Sequence, residues 1–136
     1  MEEQVKSCFN IDVLLCEDNE MNRELVCARL EKLGITPDVA VNGKEGVDMV
    51  SKRLQSGKKP YDIVLMDIMM PVMNGLEATV EIRGLCADMP IIAMTPDCTP
   101  KEMEKYLGYG MADCLGKPFT MQELRECLSR HAGTSS

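Results

Sequence analysis

Five side chains in this sequence belong to types that do metal and phosphate chemistry, and each closes a short apolar run. Glu17 and Asp18 follow residues 11–16, Asp67 follows Ile63-Val64-Leu65-Met66, Thr95 follows residues 90–94, and Lys117 lies just past residues 111–115. A carboxylate at the mouth of an apolar segment is costly unless it meets solvent, a partner or a metal. Three such acids brought together also repel one another: two like charges at ~4 Å and an effective dielectric near 20 oppose each other by about 4 kcal/mol. A hard cation relieves that repulsion, and an oxygen-only site with few protein ligands suits Mg²⁺ better than zinc. Thr95 adds a hydroxyl and Lys117 a point charge, which together can hold the oxygens of a phosphoryl group. Asp67 is then both a metal ligand and a candidate nucleophile able to form an aspartyl phosphate. A plain salt-bridge cluster around Lys117 accounts for one acid, but not for three acids and a hydroxyl.

Those groups meet only if the runs that carry them end at a common place. Shortness and β-branching make 63–66 a buried strand rather than a helix, and Pro71 and Asn74-Gly75 mark the loop that follows. Residues 1–10 are polar without a period and read as a tail or linker. Residues 11–16 form a first strand. Residues 21–33 have helical spacing, with Val26, Leu30 and Leu33 on one face and Gly34 as the stop. A short strand at about 39–41 ends at Asn42-Gly43. Val47, Val50 and Leu54 mark a helix over 44–55, broken by Gly57-Lys58-Lys59-Pro60. Ala78, Ile82 and Leu85 define a helix over 76–85, and 90–94 is a fourth strand. Thr99 as N-cap and Pro100 at the first position start a helix over 100–107, stopped by Gly108. Residues 111–115 make the fifth strand. Thr120 and Glu123 form a capping-box pattern ahead of a last helix with Leu124 and Leu128 on its core side. Residues 132–136 read as a disordered tail. Five alternations of strand and helix predict one α/β domain over residues 11–131, a parallel sheet covered on both faces. The carboxyl ends of parallel strands share one rim, and ligands bind there.

Composition narrows the setting. A chain of 136 residues supports one domain with a real core. A net charge of -7 argues against non-specific binding to nucleic acid or an anionic membrane. No apolar run approaches the ~18 residues of a membrane span, and the N-terminus lacks a signal-peptide pattern. The seven cysteines are odd in number, contain no CxxC pair, and in part lie inside apolar segments, as Cys16 and Cys114 do. That pattern predicts reduced cysteines in a cytoplasmic protein rather than a disulfide framework. Cys127 and His131 are four apart on one predicted helix, but two ligands do not make a zinc site.

In order and interval, Glu17-Asp18-Asn19, the run Leu65-Met66-Asp67-Ile68-Met69-Met70-Pro71-Val72-Met73-Asn74-Gly75, Thr95, and Lys117-Pro118 resemble the receiver domain of two-component response regulators. The resemblance covers roughly residues 11–131. It implies a flavodoxin-like (CheY-like) fold with five parallel strands in the order 2-1-3-4-5 and five helices. It implies that Asp67 accepts a phosphoryl group from a phosphohistidine and later loses it by autodephosphorylation. Asp18, Asp67 and the backbone carbonyl of Met69 bind Mg²⁺ directly on this view, and Glu17 acts through water. Thr95 hydrogen-bonds the phosphoryl group, Lys117 pairs with it, and the Lys117–Pro118 bond is cis. The implied partner is a histidine kinase or histidine phosphotransfer domain, docking near Asn22 at residues 21–25. Asn19, Asn22, Leu33-Gly34, Asn42-Gly43 and Gly75-Leu76-Glu77-Ala78-Thr79 with Ile82-Arg83 are most like receivers attached to hybrid histidine kinases.

Two positions depart from the family. Three residues before the lysine the family usually has an aromatic side chain, and here it is Cys114. After the threonine it usually has a small residue, and here it is Pro96. A cysteine cannot fill or vacate a ring-sized space, so the expected change at the fourth helix and fifth strand is muted, unless Tyr106 or Tyr109 takes the aromatic role. Other classes fit less well. A haloacid-dehalogenase-type phosphatase needs a second acid where Met69 stands, and a nucleotide-binding protein needs a glycine-rich loop where Glu17-Asp18-Asn19-Glu20 stands. The alternative that keeps the fold is a phosphorylation-independent interaction module.

Overall fold

A computed structural model describes residues 9–132. Most of the two predicted tails, 1–8 and 133–136, lies outside the described residues. Phe9 is an exception to the first of them, because its ring is buried in the core and its backbone N–H donates to the Leu33 carbonyl at 2.7 Å.

The elements alternate as β1 (Val13–Cys16), α1 (Glu20–Lys32), β2 (Asp38–Ala40), α2 (Gly43–Gln55), β3 (Ile63–Asp67), α3 (Gly75–Leu85), β4 (Ile91–Thr95), α4 (Pro100–Gly108), β5 (Asp113–Gly116) and α5 (Met121–Ala132). The five strands pair in parallel in the order β2-β1-β3-β4-β5. Every residue of β1, β3 and β4 is buried, which is why these strands read as continuous apolar runs rather than alternating ones.

The period of two along each strand divides the core into two layers. Val13, Leu15, Ile63, Leu65, Ile92 and Met94 face Val26, Leu30 and Leu33 from the α1 side and Leu124 and Leu128 of α5. Leu14, Cys16, Val64, Met66, Ile91 and Ala93 face Val50 of α2, Ala78 and Ile82 of α3 and Tyr106 of α4. Leu15 pairs with Leu65 in the β1–β3 register. Two residues further on, the same alternation sets Glu17 and Asp67 on one face at the rim.

The expectation of uniformly reduced cysteines is corrected. Cys98 and Cys114 form a disulfide, with Cα atoms 6.0 Å apart and a separation of 16 positions in sequence. The pair has no short-range spacing signature. It forms because β5 lies beside β4, with Ala93 opposite Cys114, and because the chain leaving β4 passes over the end of β5. Cys16, Cys27, Cys86 and Cys127 are free among the described residues.

Candidate phosphoryl and metal site

The β1–α1 loop is held in a fixed shape by its own polar groups. The Asn19 side chain caps α1 by accepting from the Asn22 N–H at 2.9 Å. Its backbone N–H in turn reaches Glu17 Oε2 at 3.3 Å. Arg23, one turn into the helix, donates from Nη1 to the carbonyls of Glu17 and Asp18 at 3.1 and 3.2 Å. The two acids thus leave β1 in defined directions, Glu17 fully buried and Asp18 exposed.

The β3–α3 loop is closed by a glycine for a steric reason. A Cβ on Gly75 would collide with the carbonyl oxygen of Asp67, so only glycine lets the loop return onto the strand end, where its N–H donates to the Ile68 carbonyl at 2.9 Å. Asn74 and Glu77 complete a reciprocal capping box for α3. Two residues before Asn74 lies Val72, at a φ of 68°. Left-handed backbone is unfavourable for a β-branched residue.

The charged groups converge. One carboxylate oxygen from each of Glu17, Asp18 and Asp67 lies within 4.8 Å of the others. Lys117 bridges two of them, with Nζ 3.0 Å from Glu17 Oε1 and 3.2 Å from Asp67 Oδ1. Burial is the main cause pushing the Asp67 carboxyl up to about 6; the hydrogen bond and charge of Glu17 add to it, and Lys117 only partly opposes them. Burial pulls the Lys117 ammonium down, but the hydrogen bond to Glu17 and the charges of Asp67 and Glu17 outweigh it, so its pKa stands above the usual lysine value. The Lys117–Pro118 peptide is cis. Met69, expected to contribute its carbonyl, has an exposed side chain and an N–H 3.4 Å from Asp67 Oδ1.

Thr95 ends β4 one strand over and is buried. Its hydroxyl oxygen accepts from the Asp97 N–H at 3.2 Å and lies 3.4 Å from the hydroxyl of Tyr106, which is also 3.3 Å from the Asp97 carbonyl. So Tyr106, on α4, is the aromatic side chain that touches Thr95, while Cys114 is bound to Cys98. Three of these structural roles had little or no signature in the sequence. Arg23 reads as an ordinary exposed helix residue, the cap of Asn74 hides inside an Asn-Gly turn signal, and the Cys98–Cys114 pairing requires knowing which strands are neighbours.

Beside the acids runs a cleft of about 290 Å³ lined by Asn22, Leu25, Val26, Arg29, Pro118 and Phe119, with Glu17 and Lys117 at its inner end. Met21 and Leu25 are exposed on the same helix. Arg29 holds the far wall, donating to the Phe119 carbonyl and lying over its ring at 5.8 Å.

A second cluster, Asp113, Cys127 and His131, brings its candidate ligand atoms within 4.8 Å. Asp113 Oδ2 there is already engaged by Arg130 Nη1 at 2.6 Å and His131 Nε2 at 2.8 Å.

The fold and the site define the class: a doubly wound parallel sheet with three acids and a lysine at one rim. Within that class the pattern of the response regulator receiver domain matches residues 13–129. Hybrid signal transduction histidine kinase G of Dictyostelium discoideum is 38% identical over 96% of this chain, which spans only 4% of that protein. Two-component system protein A of Emericella nidulans is 42% identical, and the chain spans 17% of it. The rice two-component response regulator ORR41 is 38% identical over 88% of this chain and 93% of its own length. Among solved structures, the receiver domain of the Pseudomonas aeruginosa PAO1 sensor histidine kinase PA1611, with magnesium coordinated in its active-site cleft, superposes with a TM-score of 0.80 at 35% identity. That match covers 92% of this chain and 99% of that one. The receiver domain of the Saccharomyces cerevisiae response regulator Ssk1, crystallised with the histidine phosphotransfer protein Ypd1, gives 0.81 at 26% identity, covering 92% of this chain and 90% of that one. The chain belongs to the response regulator receiver domain family and is a receiver domain of two-component signalling.

Proposed function

We propose that the domain takes a phosphoryl group from a phosphohistidine onto Asp67. The observation that carries this is the state of Asp67 itself, a buried carboxylate at the end of the central strand whose neighbours are two acids and a single lysine. An Asp67 oxygen attacks phosphorus, the P–N bond breaks, and its electron pair returns to the departing imidazole. Lys117 lies where it can pair with the transferred oxygens, and Thr95 brings a hydroxyl to the same rim at the end of β4.

The donor set also fits Mg²⁺, because it is all-oxygen, crowded and mutually repelling. Asp18, Asp67 and the Met69 carbonyl would hold the ion, with Glu17 acting through water. Bound there, Mg²⁺ supplies positive charge against the phosphoryl oxygens. The partner on this proposal is a histidine phosphotransfer domain or histidine kinase. Met21, Leu25 and the cleft floored by Phe119 give its phosphohistidine-bearing face an apolar seat beside the acids, and the similar Ssk1 receiver domain was crystallised with such a partner, Ypd1. Membership of a longer cytoplasmic hybrid kinase is part of the same proposal and rests on the Dictyostelium relative.

The test is direct. Incubated with acetyl phosphate and Mg²⁺, the protein is expected to gain one phosphoryl group that decays with time, and Asp67→Asn is expected to gain none. Full labelling of Asp67→Asn sinks the assignment. No labelling of the unaltered protein favours the phosphorylation-independent interaction module.

A further inference from the structure

The disulfide sits between the two residues that would sense a phosphoryl group. Cys98 lies three residues past Thr95 and immediately before Thr99, the N-cap of α4. Cys114 lies three residues before Lys117, inside β5. The bond therefore ties the loop that carries Thr95 to the strand that carries Lys117. The loop is already anchored at its near end, because Thr95 accepts from Asp97 and contacts Tyr106. For the Thr95 hydroxyl to turn toward Asp67, residues 96–98 have to give, and the bond fixes the far end of that segment to β5.

The sulfurs are reachable. Cys98 is exposed and Cys114 half-buried. Gly116 has no side chain to cover them, and a Cβ there would lie 3.7 Å from Cys98 Sγ. A surface cleft of about 410 Å³, lined by Cys98, Cys114, Gly116, Glu123 and Arg130, opens onto the pair. Two of the free thiols are poorer candidates for exchange: burial pushes those of Cys16 and Cys127 up to about 12, well away from the thiolate form that reacts.

We propose that Cys98 and Cys114 form a thiol–disulfide exchange site that sets whether the Thr95 loop can move in response to the phosphoryl group on Asp67. Oxidised, the loop is held against β5; reduced, it is free. The inference rests on Asp67 being the phosphoacceptor. Reduction takes two thiols from a small-molecule reductant such as glutathione or a dithiol. A thiolate attacks Cys98 Sγ, the bond to Cys114 breaks, and Cys114 leaves as a thiolate and takes a proton. A second thiol then attacks the mixed disulfide and releases Cys98, so the reductant ends as a disulfide and the protein gains two electrons and two protons. Oxidised glutathione runs the same steps backwards. None of the groups that would carry the phosphoryl transfer is touched, so the chemistry at Asp67 is expected to proceed in both states and only the response to it to differ.

The experiment uses the full chain, equilibrated with oxidised glutathione or with dithiothreitol. Non-reducing peptide mapping is expected to find the Cys98–Cys114 bond in the first sample and not in the second. Acetyl phosphate with Mg²⁺ is expected to label both to the same extent. Beryllofluoride with Mg²⁺ is expected to shift the backbone amides of residues 97–107 at least threefold further in the reduced sample. The double variant Cys98→Ser, Cys114→Ser is expected to behave as reduced under both conditions. Absence of the Cys98–Cys114 bond from the first sample, its persistence in the second, or equal amide shifts in two samples that both take the label, overturns the gate alone. Failure of both samples to take the label overturns the phosphoacceptor reading and the gate with it.

Discussion

Two aspartates, Asp67 and Asp113, stand in opposite electrostatic positions on neighbouring parts of one sheet. Asp67 is buried, lies within reach of Glu17 and Asp18 and shares one lysine with Glu17, and its carboxyl is held well above the usual range. Asp113 opens β5 and is held by Arg130 and His131. Burial pushes its carboxyl up, but the His131 hydrogen bond, the Cys114 N–H, the charge of His131 and the Arg130 hydrogen bond outweigh that and leave it below the usual value. The first carboxylate shares its one cation with a second acid, while the second has Arg130 and the His131 ring to itself. An acid that is saturated has nothing left to offer a ligand; it fastens α5 to β5. An acid left short is poised for one. The contrast separates two clusters that look alike as collections of metal-binding residue types.

The largest test of the contrast is magnesium. An ion that binds only the folded state stabilises it by about 2.7 kcal/mol at ~100 times its dissociation constant, several degrees in melting temperature for a domain this size. Millimolar Mg²⁺ is expected to raise the melting point of the unaltered protein and of Asp113→Asn alike, and to leave Asp18→Ala almost unmoved. A full shift in Asp18→Ala would break the contrast.

Next in size is removal of the uncompensated charge. A carboxyl raised to about 6 in the folded state destabilises the fold once ionised, so the metal-free protein is expected to gain stability as pH falls from 7 through 6 toward the unfolded value of 3.8. Asp67→Asn is expected to be more stable than the parent at pH 7 by on the order of 2 kcal/mol. Chemical denaturation at pH 7 and pH 5 in chelator measures it, and the advantage should shrink at the lower pH. Asp113 runs the other way: its contribution is present above 3.8 and is lost as pH falls through its lower folded value. Asp113→Asn is therefore expected to cost about 1 kcal/mol at pH 7, the scale of a half-exposed charge-assisted pair. A cost for Asp67→Asn or a gain for Asp113→Asn, read from the same denaturation curves, would reverse the assignment.

The smallest effect concerns the backbone near Asp67. Valine at the left-handed φ of residue 72 costs about 1–3 kcal/mol, while glycine loosens the unfolded chain by about 0.4–1 kcal/mol. Strain wins, and Val72→Gly is expected to gain roughly 0.5–1 kcal/mol. Denaturation midpoints resolve that difference.

How much of this was legible in the sequence depends on the range of the interaction involved. The strands at 63–67 and 91–95 announce themselves because both faces of a central parallel strand are buried. Thr99 and Thr120 announce helix starts because capping is local, and both make the expected bonds. Asn42 and Asn74 make the same kind of bond to Glu45 and Glu77, yet each precedes a glycine and reads first as a turn. Glu17, Asp18, Asp67 and Lys117 meet because parallel strands share a rim, which alternation of elements suffices to predict. The contact of Tyr106 with Thr95 was visible only as an alternative, since it depends on how α4 lies over β4. The pairing of Cys98 with Cys114, and the arrival of Asp113 beside Cys127 and His131, depend on the edge of the sheet, where no local pattern reports the neighbour.

The crowding of acids around Asp67 has a consequence for directed evolution. A library screened only for resistance to heat, without magnesium, is expected to enrich Asp67→Asn early, because few single changes at a buried position remove so much unfavourable charge without altering volume. Such a screen would return a more durable protein without the proposed phosphoacceptor. Selection for durability in this fold therefore needs a signalling assay run beside it.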